Sequence, residues 1–347
     1  MTVQPELAVV ICCYNSEKII EETLRALAAQ EDIGSVWEVV LVDNNCIDQT
    51  TTVAKATWED SGSPAPLKII AEPTVGHAAA RKCGVYATDA PLIVFCDDDN
   101  QFASDYLAIA QSFMDRNESV AVLGGWGTAI TDGEFPDWFD RFYRPYAVGP
   151  QRPEEGITES YLYGAGIVFR REDLLKFYEA GFSHLLSGRT RGKTTSGDDV
   201  EMQEWLEIFN CGDRYYLPSL KFEHYLLPER LTWKHLKKLI KGFARSSPIL
   251  HLYKEIRRSQ TLRSRSYYWI KFLLKYIVIT FLGFRKSLKG TVIFVGGGFT
   301  SVTWLLTNRS TFCRAVDEIN EMHRHAREIS LSEKTSAEKT TLESQQD

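Results

Sequence analysis

A chain of 347 residues, 44% hydrophobic and 25% charged, can bury a sizeable core in one large domain or two modest ones. Its net charge of −6 conceals a segregation: residues 230–290 carry 16 Lys or Arg against one acid, Glu255, while the rest holds 24 basic and 45 acidic side chains. That region is expected to meet an anionic partner. The seven cysteines show no metal-ligand spacing and no basic leader opens the sequence, so a reduced, cytoplasmic protein is the expectation.

The first stretch alternates strands and helices. Leu7–Cys12 is a strand candidate, and Glu17–Gln30 a helix with Ile20, Leu24 and Leu27 on one face, capped by Asn15 or Ser16. Trp37–Val42 is a second strand ending at Asp43, Thr51–Asp60 a helix, and Leu67–Ile70 a third strand. Gly76–Ala87 is Ala-rich and helical, and Pro91–Cys96 reads as a buried strand. This rhythm predicts an α/β fold with a doubly wound, mostly parallel sheet flanked by helices. After residue 120 the pattern loosens: Gly124–Gly127 and Phe135–Tyr146 read as loops or short strands, and Tyr161–Phe169 as a strand. Ser187–Gly197 reads as a lid-like loop, a helix starts at Asp198, and the polar tail beyond about Ser330 reads as disordered.

Three consecutive aspartates, Asp97, Asp98 and Asp99, end the fourth strand candidate. Such crowding costs repulsion unless a cation or several donors compensate. Hard divalent cations take oxygen ligands and share sites with substrate phosphates, and ligand crevices of open α/β sheets lie beyond the carboxyl ends of the strands. The cluster therefore suggests a metal-diphosphate site, its other reading being a solvated acidic turn. Asp43 could accept a hydrogen bond from a nucleobase imide or form an Asx-turn.

Val9–Asn15, Leu41–Thr50, Gly76–Lys82 and Phe95–Asp99 resemble, in order and spacing, the successive motifs of family 2 glycosyltransferases. Gly197–Glu201 resembles that family's later acidic motif, and His224–Thr232 a stretch seen in many bacterial members. The resemblance implies a GT-A-like, inverting enzyme with a nucleotide-diphospho-sugar donor, a UDP-sugar being the expected one. Tyr14 and Asn15 would lie beside the base, Asp43 would recognise it, and Arg81 would approach the diphosphate or ribose. Asp97 would approach ribose or metal-bound water and Asp99 would bind Mn2+ or Mg2+. Asp98, the remaining member of the donor-side cluster, would point away as a spacer. Asp199 would be the catalytic base, kept ionised by its place in a helix's first turn. Asp198 and Glu201 would cap that helix or act in the site. His224 would complete the metal shell or serve as a core histidine. Two departures from the usual motifs are Cys12 in place of a proline and Lys82 in place of an asparagine; neither removes a chemical group.

The expected organisation is a catalytic domain over residues 1–230, its donor half about 1–120 and acceptor half 121–230. A basic and apolar helical segment then covers 231–310, and a polar helix and disordered tail 311–347. Within the second segment Lys234, Lys237, Lys238 and Lys241 share one helical side, Tyr267–Phe284 is apolar but interrupted by Lys271 and Lys275, and Thr291–Thr307 is uncharged. This pattern reads as peripheral attachment to the inner face of the cell membrane, the alternatives being a re-entrant hairpin or a buried helical layer. Nucleic acid is a poor fit, since no recognised binding motif appears. The expected acceptor is a glycan or a lipid-linked hydroxyl, in surface polysaccharide or glycolipid assembly. The other readings are a sugar-1-phosphate nucleotidyltransferase, whose signature loop Cys12–Asn15 does not resemble, and a non-catalytic nucleotide-sugar-binding scaffold.

Overall fold

The computed structural model describes residues 4–31, 33–186, 189–190, 193–194, 196–259, 263–283 and 288–343. Three strand-helix steps open the chain: β1 (Leu7–Cys13), α1 (Ile20–Ala28), β2 (Trp37–Asp43), α2 (Thr50–Asp60), β3 (Leu67–Ala71) and α3 (His77–Tyr86). β4 (Leu92–Asp97), β5 (Asn100–Phe102), α4 (Tyr106–Arg116) and β6 (Val120–Ile130) follow. Then come β7 (Gly156–Ile157), β8 (Ile167–Arg170), α5 (Arg171–Glu179), β9 (Arg189–Thr190), β10 (Lys193–Thr194), α6 (Asp198–Ile208) and β11 (Asp213–Tyr225). Four helices end the chain: α7 (Trp233–Arg258), α8 (Arg265–Gly283), α9 (Leu288–Thr307) and α10 (Arg309–Glu343).

By contacts the chain forms two units, residues 1–203 with 212–243, and residues 204–211 with 244–347. The first is built on a nine-stranded sheet of order β3-β2-β1-β4-β8-β6-β11-β5, with β7 on β11. Its first four strands run parallel. β8 is antiparallel to both β4 and β6, while β11 runs parallel to β6 and antiparallel to β5. β1 is an unbroken apolar run because helices cover both sides of it, and all but Cys12 of its seven residues are buried. At Gly84 a Cβ would stand 2.3 Å from Val10 Cγ1, so a side-chain-free residue lets α3 lie directly on β1.

Several expectations shift. Gly124–Gly127 lies inside the long strand β6, because a Cβ at Gly125 would stand 1.9 Å from the Leu220 carbonyl oxygen of β11. The strand expected over Tyr161–Phe169 starts only at Ile167, after Gly166 takes φ +67°. Of the lid-like loop 187–197, β9 and β10 pair antiparallel, and residues 187, 188, 191, 192 and 195 lie outside the described residues. Residues 331–343 continue α10 where a disordered tail was expected; the stretch from Arg309 on contains neither Gly nor Pro, so nothing breaks the helix.

The second unit is helical. Tyr253 accepts a hydrogen bond from Trp205 Nε1 (3.2 Å), Ser301 Oγ donates to the Ala244 carbonyl (2.7 Å), and Trp269 Nε1 donates to the Leu305 carbonyl (3.1 Å). Phe312, Ala315, Val316, Ile319 and Met322 of α10 are buried. Among the described residues no helix is long and apolar enough to cross a membrane.

Candidate active site

The strand register brings the chemistry to one edge of the first unit. Cys12 of β1 stands beside Asp97 of β4, and Cys13 beside Asp43 of β2, so two acidic strand ends flank β1. The triplet then turns through Asp98 and Asp99 into β5, whose Asn100 pairs with His224 of β11. That ladder explains why His224 Nε2 lies 3.2 Å from Asp99 Oδ1, and the Tyr225 amide donates to the Asp99 carbonyl (2.8 Å). Arg230 Nη1 donates to Asp99 Oδ2 at 2.7 Å. Burial opposes the charged form of His224, but the Asp99 carboxylate outweighs it and raises the imidazole's pKa. Asp98 turns the other way: Ser16 Oγ donates to its carboxylate, and Thr23 Oγ1 of α1 donates to its carbonyl (2.9 Å). Burial, reinforced by the neighbouring Asp99 charge, pushes the Asp98 carboxyl up to about 7.

A second acidic group sits at the start of α6. Asp198 Oδ2 accepts from Arg81 Nη1 and faces His77 Nδ1, both at 3.0 Å, and His77 Nε2 lies 3.8 Å from Asp97 Oδ1. Arg81 is buried, with its guanidinium 5.1 Å from the centroid of the Phe95 ring. Burial alone would raise the Asp198 carboxyl, yet Arg81 and His77 hold it well below the usual carboxylate range. Asp199 goes the opposite way: burial and then the Asp198 charge raise it, against Arg81 and the Val200 amide. The helix-terminus stabilisation expected from sequence is therefore overruled, and Asp199 is a stronger base than a surface carboxylate. Gly164 leaves room for this pair, since a Cβ there would lie 2.8 Å from the Asp199 carboxylate and 2.9 Å from Arg81 Nη2.

The loops after β1 and β2 lock onto each other. Asn15, in the left-handed region at φ +55°, accepts from the Ile47 amide through Oδ1 (2.8 Å) and donates its own amide to Cys46 Sγ (3.3 Å). Asp43 Oδ1 accepts from the Cys46 amide three residues on at 2.8 Å, a local side-chain to backbone bond that holds the loop, and Tyr14 stands exposed beside them in sequence.

Residues 8–177 match the family model described as glycosyl transferase family 2. Residues 8–177 belong to glycosyltransferase family 2. Poly(ribitol-phosphate) beta-N-acetylglucosaminyltransferase TarS of Staphylococcus aureus is 28% identical over 120 residues, 34% of this chain and 20% of that protein. Glycosyltransferase AglE of Haloferax volcanii is 25% identical over 191 residues, 53% of this chain and 58% of that protein. The chain thus spans only part of these relatives. Among solved structures, S. aureus TarS 1–349 in complex with UDP-GlcNAc superposes with a TM-score of 0.52 at 16% identity, covering 93% of this chain and 92% of that one. The mannosyltransferase PcManGT from Pyrobaculum calidifontis, in complex with GDP-Man and Mn2+, gives 0.52 at 17% identity, covering 93% and 88%. The fold is that of GT-A glycosyltransferases.

Within this chain, Asp97, Asp99, His224, Arg81 and Asp199 fall on two neighbouring clusters linked by His77. Tyr14, Asn15 and Asp43 lie on the adjacent loops. Sequence reasoning missed His77 and Arg230, although both fall inside the quoted stretches Gly76–Lys82 and His224–Thr232. It also missed the use of Glu201, whose side chain accepts from the Leu185 and Leu186 amides (2.9 and 3.1 Å) and contacts His184 Nδ1 (3.1 Å). Among the described residues no group of three His, Cys, Asp or Glu is arranged to hold a metal. Asp99 with His224 still fits a divalent ion that takes one or two protein ligands and completes its shell with substrate phosphate and water, and buried His224 Nδ1 has no hydrogen-bond partner among the described residues.

Proposed function

We propose that the chain transfers a sugar from a nucleotide-diphospho-sugar, a UDP-sugar in our reading, to a hydroxyl acceptor with inversion. What carries the proposal is the divergence of the Asp198–Asp199 pair: Arg81 and His77 fix the first as a carboxylate, while the second is pushed up and, among the described residues, has no arginine of its own at hydrogen-bonding distance. Asp199 takes the acceptor's hydroxyl proton as that oxygen forms a bond to the anomeric carbon. The bond from that carbon to the diphosphate breaks on the opposite face, and a nucleoside diphosphate leaves. Tyr14, Asn15 and Asp43 hold the base, and Arg81 aligns Asp198 and Asp199 at the sugar. Asp99 with His224, and Asp97 beside them, would hold Mn2+ or Mg2+, which when bound supplies charge stabilisation for the departing diphosphate.

Support for a nucleotide-sugar donor comes from the GT-A neighbours, whose structures carry UDP-GlcNAc and GDP-Man with Mn2+. TarS, by its name a poly(ribitol-phosphate) beta-N-acetylglucosaminyltransferase, supports a polymeric hydroxyl acceptor such as a surface polysaccharide; the reaction's place at the inner face of the cell membrane is our reading of the basic and apolar segment after residue 230. Asp199→Asn tests the assignment: turnover should fall about 10²–10⁴-fold while donor binding by calorimetry stays unchanged. Turnover within a few-fold of the parent would sink it.

A further inference from the structure

α8 is apolar on two opposite faces. Tyr268, Phe272 and Tyr276, one turn apart, are buried at 1%, 1% and 3% exposure. Phe272 packs on Phe312 of α10 (5.7 Å between ring centroids), and the Tyr276 hydroxyl bonds Ser247 Oγ (2.7 Å) and His251 Nδ1 (2.6 Å) of α7. The other face repeats the same spacing outward: Ile270, Leu274, Val278 and Phe281 are 52%, 58%, 53% and 70% exposed. Further along the hairpin, Phe299 of α9 is 66% exposed, and at Gly298 a Cβ would stand 2.5 Å from Thr280 Oγ1, so the two helices touch at their backbones. A helix with two opposite apolar faces has something to cover on each of them. The second unit covers only half of this one.

We propose that the outward face of α8 docks side-on into the interfacial zone of an anionic lipid bilayer. The proposal names the surface behind the membrane-side reading above and rests on that reading. Charge selects the occupant. No Asp or Glu occurs between Glu255 and Asp317, whereas this stretch contains eleven Lys or Arg. Against a second copy of the same face, those cations would meet cations. Arg257, Arg265, Lys271 and Arg314 already face Glu207, Asp317, Glu255 and Glu318, and anionic headgroups would meet the remaining excess of basic residues. Lys271 and Lys275 sit mid-helix and oppose a spanning arrangement, and no described helix is long and apolar enough to span. Lying in the interface, α8 would bury its apolar face while long basic side chains reach the headgroups.

The full chain should co-sediment with phosphatidylcholine vesicles containing phosphatidylglycerol, and much less with pure phosphatidylcholine. Leu274→Glu with Phe281→Glu should weaken that binding about tenfold or more, with unchanged circular dichroism. Leu274→Ala with Phe281→Ala, a milder pair, should give a smaller loss in the same direction. Asp199→Asn should bind vesicles as the parent does, which separates this proposal from the transferase reading. The proposal is overturned if the parent ignores anionic vesicles or if both pairs bind like the parent. It is equally overturned if sedimentation velocity shows a parent dimer that the alanine pair turns into a monomer.

Discussion

The turn after β4 and the start of α6 solve one electrostatic problem with the same parts. Each crowds carboxylates, gives one of them an arginine, and leaves a neighbour pushed upward: Asp99 with Arg230 beside Asp98, and Asp198 with Arg81 beside Asp199. The difference lies in where the raised carboxyl points. Asp98 receives Ser16 Oγ and faces α1, so its proton affinity is absorbed in structure. Asp199 lies against Gly164, whose missing side chain leaves room for its carboxylate. Similar charge patterns thus bond one raised carboxyl into the scaffold and leave the other for the proposed role of base, decided by the neighbour across the gap.

The largest effect that should separate the two is the loss of turnover on Asp199→Asn given above. Next come the arginines. Arg81→Ala leaves the Asp198 carboxylate buried without its main partner, and urea unfolding should show a loss of about 3–5 kcal/mol. Arg230→Ala should cost less, about 1–3 kcal/mol, because its side chain is 26% exposed and His224 still faces Asp99. Equal losses would break the comparison. A subtler test is the acid limb of kcat/KM. A base with a raised pKa loses activity, as pH falls, at a higher pH than an ordinary carboxylate. Asp198→Asn removes the neighbouring negative charge and should move that limb toward lower pH; a limb that stays put would remove Asp199 from the role. Asp198, held low, contributes stability that is present above the unfolded carboxylate pKa and is lost as pH falls below it.

The parallel half of the sheet was readable because β1 and β4 are apolar runs and β2 is one but for Glu38, all buried on both faces. The other half was not. β6 carries three glycines that mimic a loop, one of them required by the Leu220 carbonyl. β11 alternates buried and exposed positions and shifts register between Tyr216 and Lys221, which hides it from a pattern search. The aspartate triplet announced itself by composition. The union of His77 and Arg81 with Asp198 could not, since 121 and 117 residues separate the partners. The direction of the Asp199 shift was misread for a related reason: a helix start is visible in sequence, but the burial that outweighs it is created only by packing.

The pairing of Asn100 with His224 has a consequence for folding and for local opening. β5 is three residues long and ends the sheet, so the ladder joining Asp99 to His224 hangs on an edge strand whose partner is distant in sequence. Such non-local pairings close late and open early. Amide exchange should find β5 and the end of β11 less protected than β1, and the pair that would grip the metal should come apart before the parallel half of the sheet melts.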